Sequence, residues 1–547
     1  MKTLAVLEAD FRRTPLGTRS RLAEPLAGGE PPLRRTVRRL LRCTTLAGIH
    51  VAVPPEQRSI AQQTLAGLDA AVETHDAPPM PWAAPALTGG RCAAARKWSL
   101  DAWAGGLCGF AAMDEYANLL VLDALARREH ADAVVSVPPA APLLDPLQVD
   151  AMVRHLEAIR ENMRLTYAQA PPGLLAPVFL APMIADVCRS GWHLGRILAY
   201  RPDDPQRELH IRDCCYRPGP AVEHAWGRLI ADTDRAFARV ETLLREPDLA
   251  EADAAAICRW LSTHDRWNPG PAPREVEIEL TTDDALPETT LRPRGTAVGR
   301  RGPIAISQLD RLFEELARTD DSLIVFGGFG EPLRHPDFPE ILRRARHAGI
   351  YGIALRTTAL DLDADRIAAI LDAHVDVVSV LLDAGSAATY RALHRFDGYD
   401  RAVAGVEALI EAQKARGLTT PIIAPEMVKI RANLAEMEAF YDHWLRRTGA
   451  AVITGPAGRP ELAVMDMAPP ARSPCPRLWS RLLVLADGRV VLCDQDAAAL
   501  HPIAHLEEGG ICEIWTGPRM TDLRRAHAAG RYDSLPLCAS CREWHRP

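Results

Sequence analysis

The sequence predicts an α/β protein made of two successive strand–helix alternations and a small cysteine-rich tail. Three observations lead there. Short apolar runs alternate with amphipathic helical stretches over residues 1–245, and a second alternation occupies 274–470. A Pro-rich break, Asn268-Pro-Gly-Pro-Ala-Pro273, lies between them. Four cysteines then fall within 471–547, at Cys475, Cys493, Cys538 and Cys541. Such alternation predicts parallel sheets covered by helices. A chain of 547 residues is also too long for one hydrophobic core.

In the first stretch, residues 3–7, 48–53 and 133–137 are apolar runs suited to buried parallel strands. Between the first two, Leu33, Val37, Leu40 and Leu41 recur at helical spacing. That pattern predicts a helix over 32–42, with Arg34, Arg35, Arg38, Arg39 and Arg42 on its solvated face. Residues 246–273 combine acidic and Pro-rich patches and read as a linker. In the second stretch, strands are expected at 275–280, 323–326, 352–355, 375–382 and 421–423. Helices are expected at 307–317, 338–348, 363–373, 400–414 and 434–448. Repeated βα units suggest a complete or partial barrel with chemistry at the C-terminal strand ends.

Composition narrows the function classes. Lys and Arg number 64 against 71 Asp and Glu, a formal charge of −7, which argues against bulk binding to nucleic acid or an anionic membrane. No run reaches the roughly 18 apolar residues of a membrane span. The apolar start, residues 1–7, meets Glu8 and Asp10 at once and reads as a first strand rather than a signal peptide. A cytoplasmic location is therefore expected, where clustered cysteines suggest metal rather than disulfides.

Twelve cysteines are present, and the seven before residue 260 match no ligand spacing, so they read as small buried apolar side chains. Cys512 reads as core. The remaining four form the pattern Cys475-x17-Cys493-x44-Cys538-x2-Cys541. In Cys538-Ala-Ser-Cys541 the two-residue gap lets both sulfurs turn toward one centre. Residues 483–493 read as two strands around an Asp487-Gly488 turn, a hairpin that delivers Cys493. Four thiolates from separate loops suit one [4Fe–4S] cluster or one structural zinc. The long insert before Cys538 is less typical of a zinc ribbon and favours iron–sulfur.

Several segments resemble known families. Leu16-Gly-Thr-Arg-Ser-Arg21 with Pro25-Leu26, and Val134-Val-Ser-Val-Pro-Pro-Ala-Ala-Pro-Leu-Leu-Asp-Pro146, resemble the nucleotidyltransferase-like glycosyltransferase-A fold, especially cytidylyltransferases of surface-sugar synthesis. The resemblance implies a three-layer domain whose first segment wraps nucleotide phosphates. Ala140 stands where the second would carry a metal-binding aspartate, with Asp145 further on. Phe326-Gly-Gly-Phe-Gly-Glu-Pro332, followed by Arg356-Thr-Thr-Ala-Leu360 and Leu381-Leu-Asp-Ala-Gly385, resembles radical S-adenosylmethionine (SAM) enzymes. This implies a partial (β/α) barrel with a SAM-binding turn at Gly327, Gly328, Gly330 and Glu331. The tail resembles the one-cluster SPASM/twitch extension, which makes Cys475, Cys493, Cys538 and Cys541 its cluster ligands. The whole combination resembles the spiro-SPASM group.

One expected motif is missing. Radical initiation in that family uses C-x3-C-x2-C after the first barrel strand. Residues 279–294 contain no cysteine, and the ligand places fall on Asp284, Glu288 and Leu291. Leucine cannot bind iron, and carboxylates do not hold the sulfide cluster that thiolates hold. Thr358-Ala359 also replaces the usual Asn-Gly, and Leu381 replaces a common serine. The SAM turn is thus read as vestigial. Asp283, Asp284 and Glu288 read as a solvated acidic loop, and His335 and His545 as surface residues. The expectation is one auxiliary-type [4Fe–4S] cluster, no classical radical chemistry, a redox partner and no nucleic acid. The alternatives are structural zinc at the same cysteines, a nucleotidyl or glycosyl transferase, or a non-classical SAM-dependent enzyme, the last two acting in cell-surface polysaccharide metabolism.

Overall fold

β1 (Thr3–Glu8) forms where the first apolar run predicts it, with Leu4 to Leu7 buried. A computed structural model describes the chain over residues 1–76, 90–204, 212–265, 268–286, 291–293, 298–456, 459–465 and 468–545. It divides into two units, Met1–Asn268 and Pro269–Pro547. Among the described residues no helix is long and apolar enough to cross a membrane.

In the first unit, β1 is followed by β2 (Leu46–Val53), β3 (Ala71–Thr74), β4 (Ala133–Ser136), β5 (Leu165–Ala168), β6 (Val178–Leu180) and β7 (Cys215–Tyr216). The sheet order is β3-β2-β1-β4-β6-β5-β7. β1 is parallel to β2 and β4, as the strand–helix alternation predicts. β6, however, runs antiparallel to both β4 and β5, so the sheet is mixed.

Two expectations for this unit are corrected. The helix Pro32–Leu40 buries Leu33, Val37 and Leu40 as its pattern requires, but Arg35 and Arg39 are buried too. Arg35 donates to the carbonyls of Pro142 and Ala250, and Arg39 to those of Leu144 and Ala250. Both also meet Glu251, which offsets the cost of burying their charge. The expected linker over 246–273 is packed on both flanks. Helix Ala254–Trp260 contributes Ala254, Ile257 and Cys258 to the first unit's core. Trp515 Nε1 donates to the carbonyls of Pro269 and Gly270 in the second unit.

The second unit contains β8 (Glu275–Glu279), β9 (Leu323–Gly327), β10 (Gly352–Thr357), β11 (Val377–Leu381), β12 (Ile422–Val428), β13 (Val452–Thr454), β14 (Arg481–Val484), β15 (Arg489–Val491) and β16 (Ala504–His505). Its order is β13-β12-β11-β10-β9-β8-β14-β15-β16. β8 to β13 are all parallel, a partial barrel. The cysteine-bearing tail is not a separate layer. β14 adds to β8 in parallel, and the β14–β15 hairpin turns at Gly488, whose φ of 84° suits glycine. Alternation along β8 sends Val276 and Ile278 into the apolar core and leaves Glu275, Glu277 and Glu279 on the opposite, inner face.

Candidate metal centre

Cys475, Cys493, Cys538 and Cys541 line one small cavity of about 20 Å³. Each arrives by a different local device. Cys475 precedes the short helix Pro476–Trp479. Cys493 follows β15, and Cys538 sits in the turn Pro536–Ala539. The Cys541 N–H donates to the Cys538 carbonyl at 3.1 Å, which curls the C-x2-C segment back on itself. Leu492, Leu537 and Trp544 close the apolar part of the wall. Among the described residues, no three histidine, cysteine or carboxylate side chains converge in a way that could hold a single metal ion.

The cavity wall is electrostatically prepared for negative charge. Burial pushes the Cys493 thiol well up and the Cys538 thiol to about 11; it also raises that of Cys475, against the pull of Arg477. These thiols stay protonated until a cation source makes thiolate favourable. Arg477 is buried and pairs with Asp494 at 2.6 Å. Burial opposes its charge, but Asp494 holds it firmly protonated, and Cys493 and Cys475 add to this once they are thiolates. The Nε atoms of Arg472 and Arg477, and Nε2 of His527, are buried in this wall without a hydrogen-bond acceptor. Orphaned donors around thiols fit an anionic, sulfur-rich group, and that donor set suits a thiolate-ligated iron–sulfur cluster. Glu543 N–H already donates to Cys541 Sγ at 3.3 Å.

The barrel mouth is built differently. Glu279 closes β8, is fully buried, and accepts both arms of Arg301 at 2.6 and 2.9 Å. It also accepts the N–H groups of Phe329 and Ala486. Leu291, one of the three aligned ligand places, is buried with Leu393, Val428 and Ile430. Asp284 accepts from the N–H of Leu286, and Glu288 lies outside the described residues. Next to Leu291, Arg292 pairs with Glu426 of β12 at 3.0 Å. Glu426 also accepts from Ser379 and Thr454, and Arg356 of β10 meets Glu277 at 3.1 Å. Despite burial, these partners keep Glu426 ionised below the usual carboxylate range.

The expected SAM turn has its own packing reasons. A Cβ at Gly327 would lie 2.8 Å from Glu277 Oε1, one at Gly328 2.6 Å from Glu279 Cβ, and one at Gly330 would clash with the Thr281 carbonyl. The glycines therefore let β8 and its following loop lie directly against this turn. Glu331 accepts from Leu333 N, Thr357 Oγ1 and both Thr358 N and Oγ1. Its carboxylate is consumed in tying β9 to the end of β10. His335, expected at the surface, is buried and bonds the Ile304 carbonyl and the Asp337 N–H.

Residues 290–430 match the family model described as the radical SAM superfamily, and residues 475–542 match the SPASM iron–sulfur cluster-binding domain. The chain carries a radical SAM domain and a SPASM domain. An uncharacterised protein of Treponema pallidum (strain Nichols) is 23% identical over 239 residues, 42% of this chain and 66% of the relative. The crystal structure of BtrN with AdoMet and 2-DOIA is 17% identical, covering 49% of this chain and 92% of BtrN, with a TM-score of 0.32. A cytidylyltransferase from Leptospira borgpetersenii serovar Hardjo-bovis is 11% identical over 48% of this chain and 94% of its own, also with a TM-score of 0.32. The radical SAM match begins at residue 290, after the positions of Asp284 and Glu288.

The cysteine wall of the SPASM domain holds residues that sequence reading missed. Arg477 lies two residues after Cys475, and its partner Asp494 directly follows Cys493, a proximity that offered a signal. His527 offered none, because it reaches the wall from helix Pro518–Ala528. In the second unit, the Glu-x-Glu-x-Glu alternation of β8 carried a signal for the ionic inner face. The first unit has a cavity lined by Glu8, Asp10, Arg13, Thr14, Arg21 and Ala140, among others. Arg21, expected to wrap phosphate, is buried and engages Asp234 and the Asp232 carbonyl. Asp145 caps helix Pro146–Ile159 and accepts from Ala254 N–H, so its oxygens serve structure.

Proposed function

We propose that this protein is an electron-handling iron–sulfur protein, binding one auxiliary-type [4Fe–4S] cluster through Cys475, Cys493, Cys538 and Cys541, with a radical SAM barrel that no longer initiates radicals. The observation that carries this reading is the contrast between the two sites. Four thiols and orphaned donors surround one cavity in the SPASM domain. At the barrel mouth, Leu291 is packed in an apolar cluster and Glu279 is locked by Arg301.

A bound cluster would supply one-electron chemistry. The four cysteines would hold it fully ligated, so substrate would find no open iron. Arg477 would balance thiolate charge, and the apolar wall would exclude water. Electron exchange implies a redox partner, and the reading includes a cytoplasmic location and no role for nucleic acid. The long insert between Cys493 and Cys538 is what supports a cluster over structural zinc at these cysteines. The test is anaerobic incubation of the reduced protein with SAM. No 5′-deoxyadenosine is expected above the no-protein control, and catalytic formation of it overturns the reading.

A second reading, nucleotidyl or glycosyl transfer in the first unit, is favoured by the cavity beside Arg13 and Thr14. Against it, Ala140 brings no carboxylate to that wall. Calorimetry with cytidine triphosphate and nucleotide sugars tests it: saturable binding with turnover favours the transferase.

A further inference from the structure

His527 occupies a singular place in the cysteine wall. It is 1% exposed, and its ring edge toward Nδ1 accepts the Cys475 backbone N–H at 3.3 Å. A backbone N–H can only donate, so Nδ1 carries the lone pair. The proton of the neutral ring then sits on Nε2. Nε2 is sealed from solvent and has no hydrogen-bond acceptor. Tyr532 meets the ring edge-on at 5.1 Å and Arg472 covers the Tyr532 ring at 4.3 Å, so the imidazole is braced rather than free to turn.

A buried N–H donor without an acceptor is unfavourable, a penalty that an acceptor in the cavity removes. We propose that His527 is a positioning residue that donates Nε2–H to a sulfur atom of the cluster held by Cys475, Cys493, Cys538 and Cys541, and thereby raises its reduction potential. The inference rests on the iron–sulfur reading above and extends it. Reduction adds one electron to the cluster, so its sulfurs become stronger acceptors. A donor fixed beside them stabilises the reduced form more than the oxidised one. The same ring ties the Cys475 backbone, so ligand and donor move together.

Two substitutions separate the two ring nitrogens. His527→Asn keeps an acceptor near the Nδ1 position and removes the distal donor; His527→Gln keeps a distal N–H and removes the proximal acceptor. In anaerobically purified full-length protein, His527→Asn is expected to weaken reduction about tenfold, a fall of about 59 mV for a one-electron couple. His527→Gln is expected to stay near the wild type. Equal potentials in all three proteins, each with about four irons per chain, overturn the hydrogen bond while leaving the cluster reading intact. A wild-type protein with zinc and no iron overturns the cluster reading and this inference with it. If His527→Asn fails to retain iron, pulsed electron–nuclear double resonance of the reduced wild type with ¹⁵N-histidine decides. Coupling to a histidine nitrogen and an exchangeable proton is expected, and its absence refutes the proposal.

Discussion

Arg477 shows how much of this protein's chemistry rests on single side chains. Its guanidinium is held between Asp494 and the cysteines of the cavity. Replacing it by methionine leaves Asp494 without its partner and the thiolates without a counter-charge. Arg477→Met is expected to cost about 2 kcal/mol and to lower iron retention, read by thermal unfolding and iron assay. Glu8 is the other informative residue. Burial raises its pKa from the ordinary 4.5 to about 7, against the hydrogen bond from Asn118 and with added repulsion from Asp10. The folded state therefore holds a proton that the unfolded state gives up between those values. The stability tied to the protonated carboxyl is present below about pH 4.5 and is lost as pH rises through 7. Glu8→Gln is expected to flatten that decline, gaining about 2 kcal/mol on the wild type between pH 5 and 8 once partial exposure is discounted. Denaturant titrations at the two pH values check it. Glu8's role was not legible in the sequence, and Arg477's was signalled only by its nearness to Cys475: the cysteines announced themselves by spacing, but a buried charge is recognisable only once its cover is known.

At the scale of elements, regular patterns spoke clearly and irregular ones did not. The hairpin around Asp487-Gly488 and the barrel strands form where apolar runs and turn residues place them. Helix Ala387–His394 and β13 carry weak patterns and were missed. The antiparallel β6 was invisible because a three-residue strand says nothing about direction. The loop between β10 and the next helix holds a sharper test. Ala359, where the family commonly has glycine, adopts φ 61°. A left-handed alanine is strained. Ala359→Gly is therefore expected to stabilise the protein by about 0.5–1 kcal/mol, read from the midpoint of urea unfolding. Unchanged or lower stability would show that the loop pays no strain.

The strands of the second unit form one sheet, and that changes what its tail does. β14 covers the edge of β8, so the SPASM segment completes the radical SAM barrel as well as carrying cysteines. Deleting residues 475–547 would bare the buried edge of β8 to solvent. That truncation is expected to aggregate or lose cooperative unfolding rather than leave a folded barrel, as size-exclusion chromatography and thermal melts would show. Cys538→Ala, by contrast, should keep β14 in place while abolishing the cluster's visible absorption.

The division of labour between a metal-binding tail and a self-filled barrel mouth is the account's central claim. Iron and acid-labile sulfide per chain, measured on protein purified without oxygen, test it most directly. About four of each is expected, falling to near zero in Cys538→Ala. About eight irons would mean that the cysteine-free loop after β8 still holds a cluster, and zinc in their place would mean that the tail holds none; either contradicts the claim.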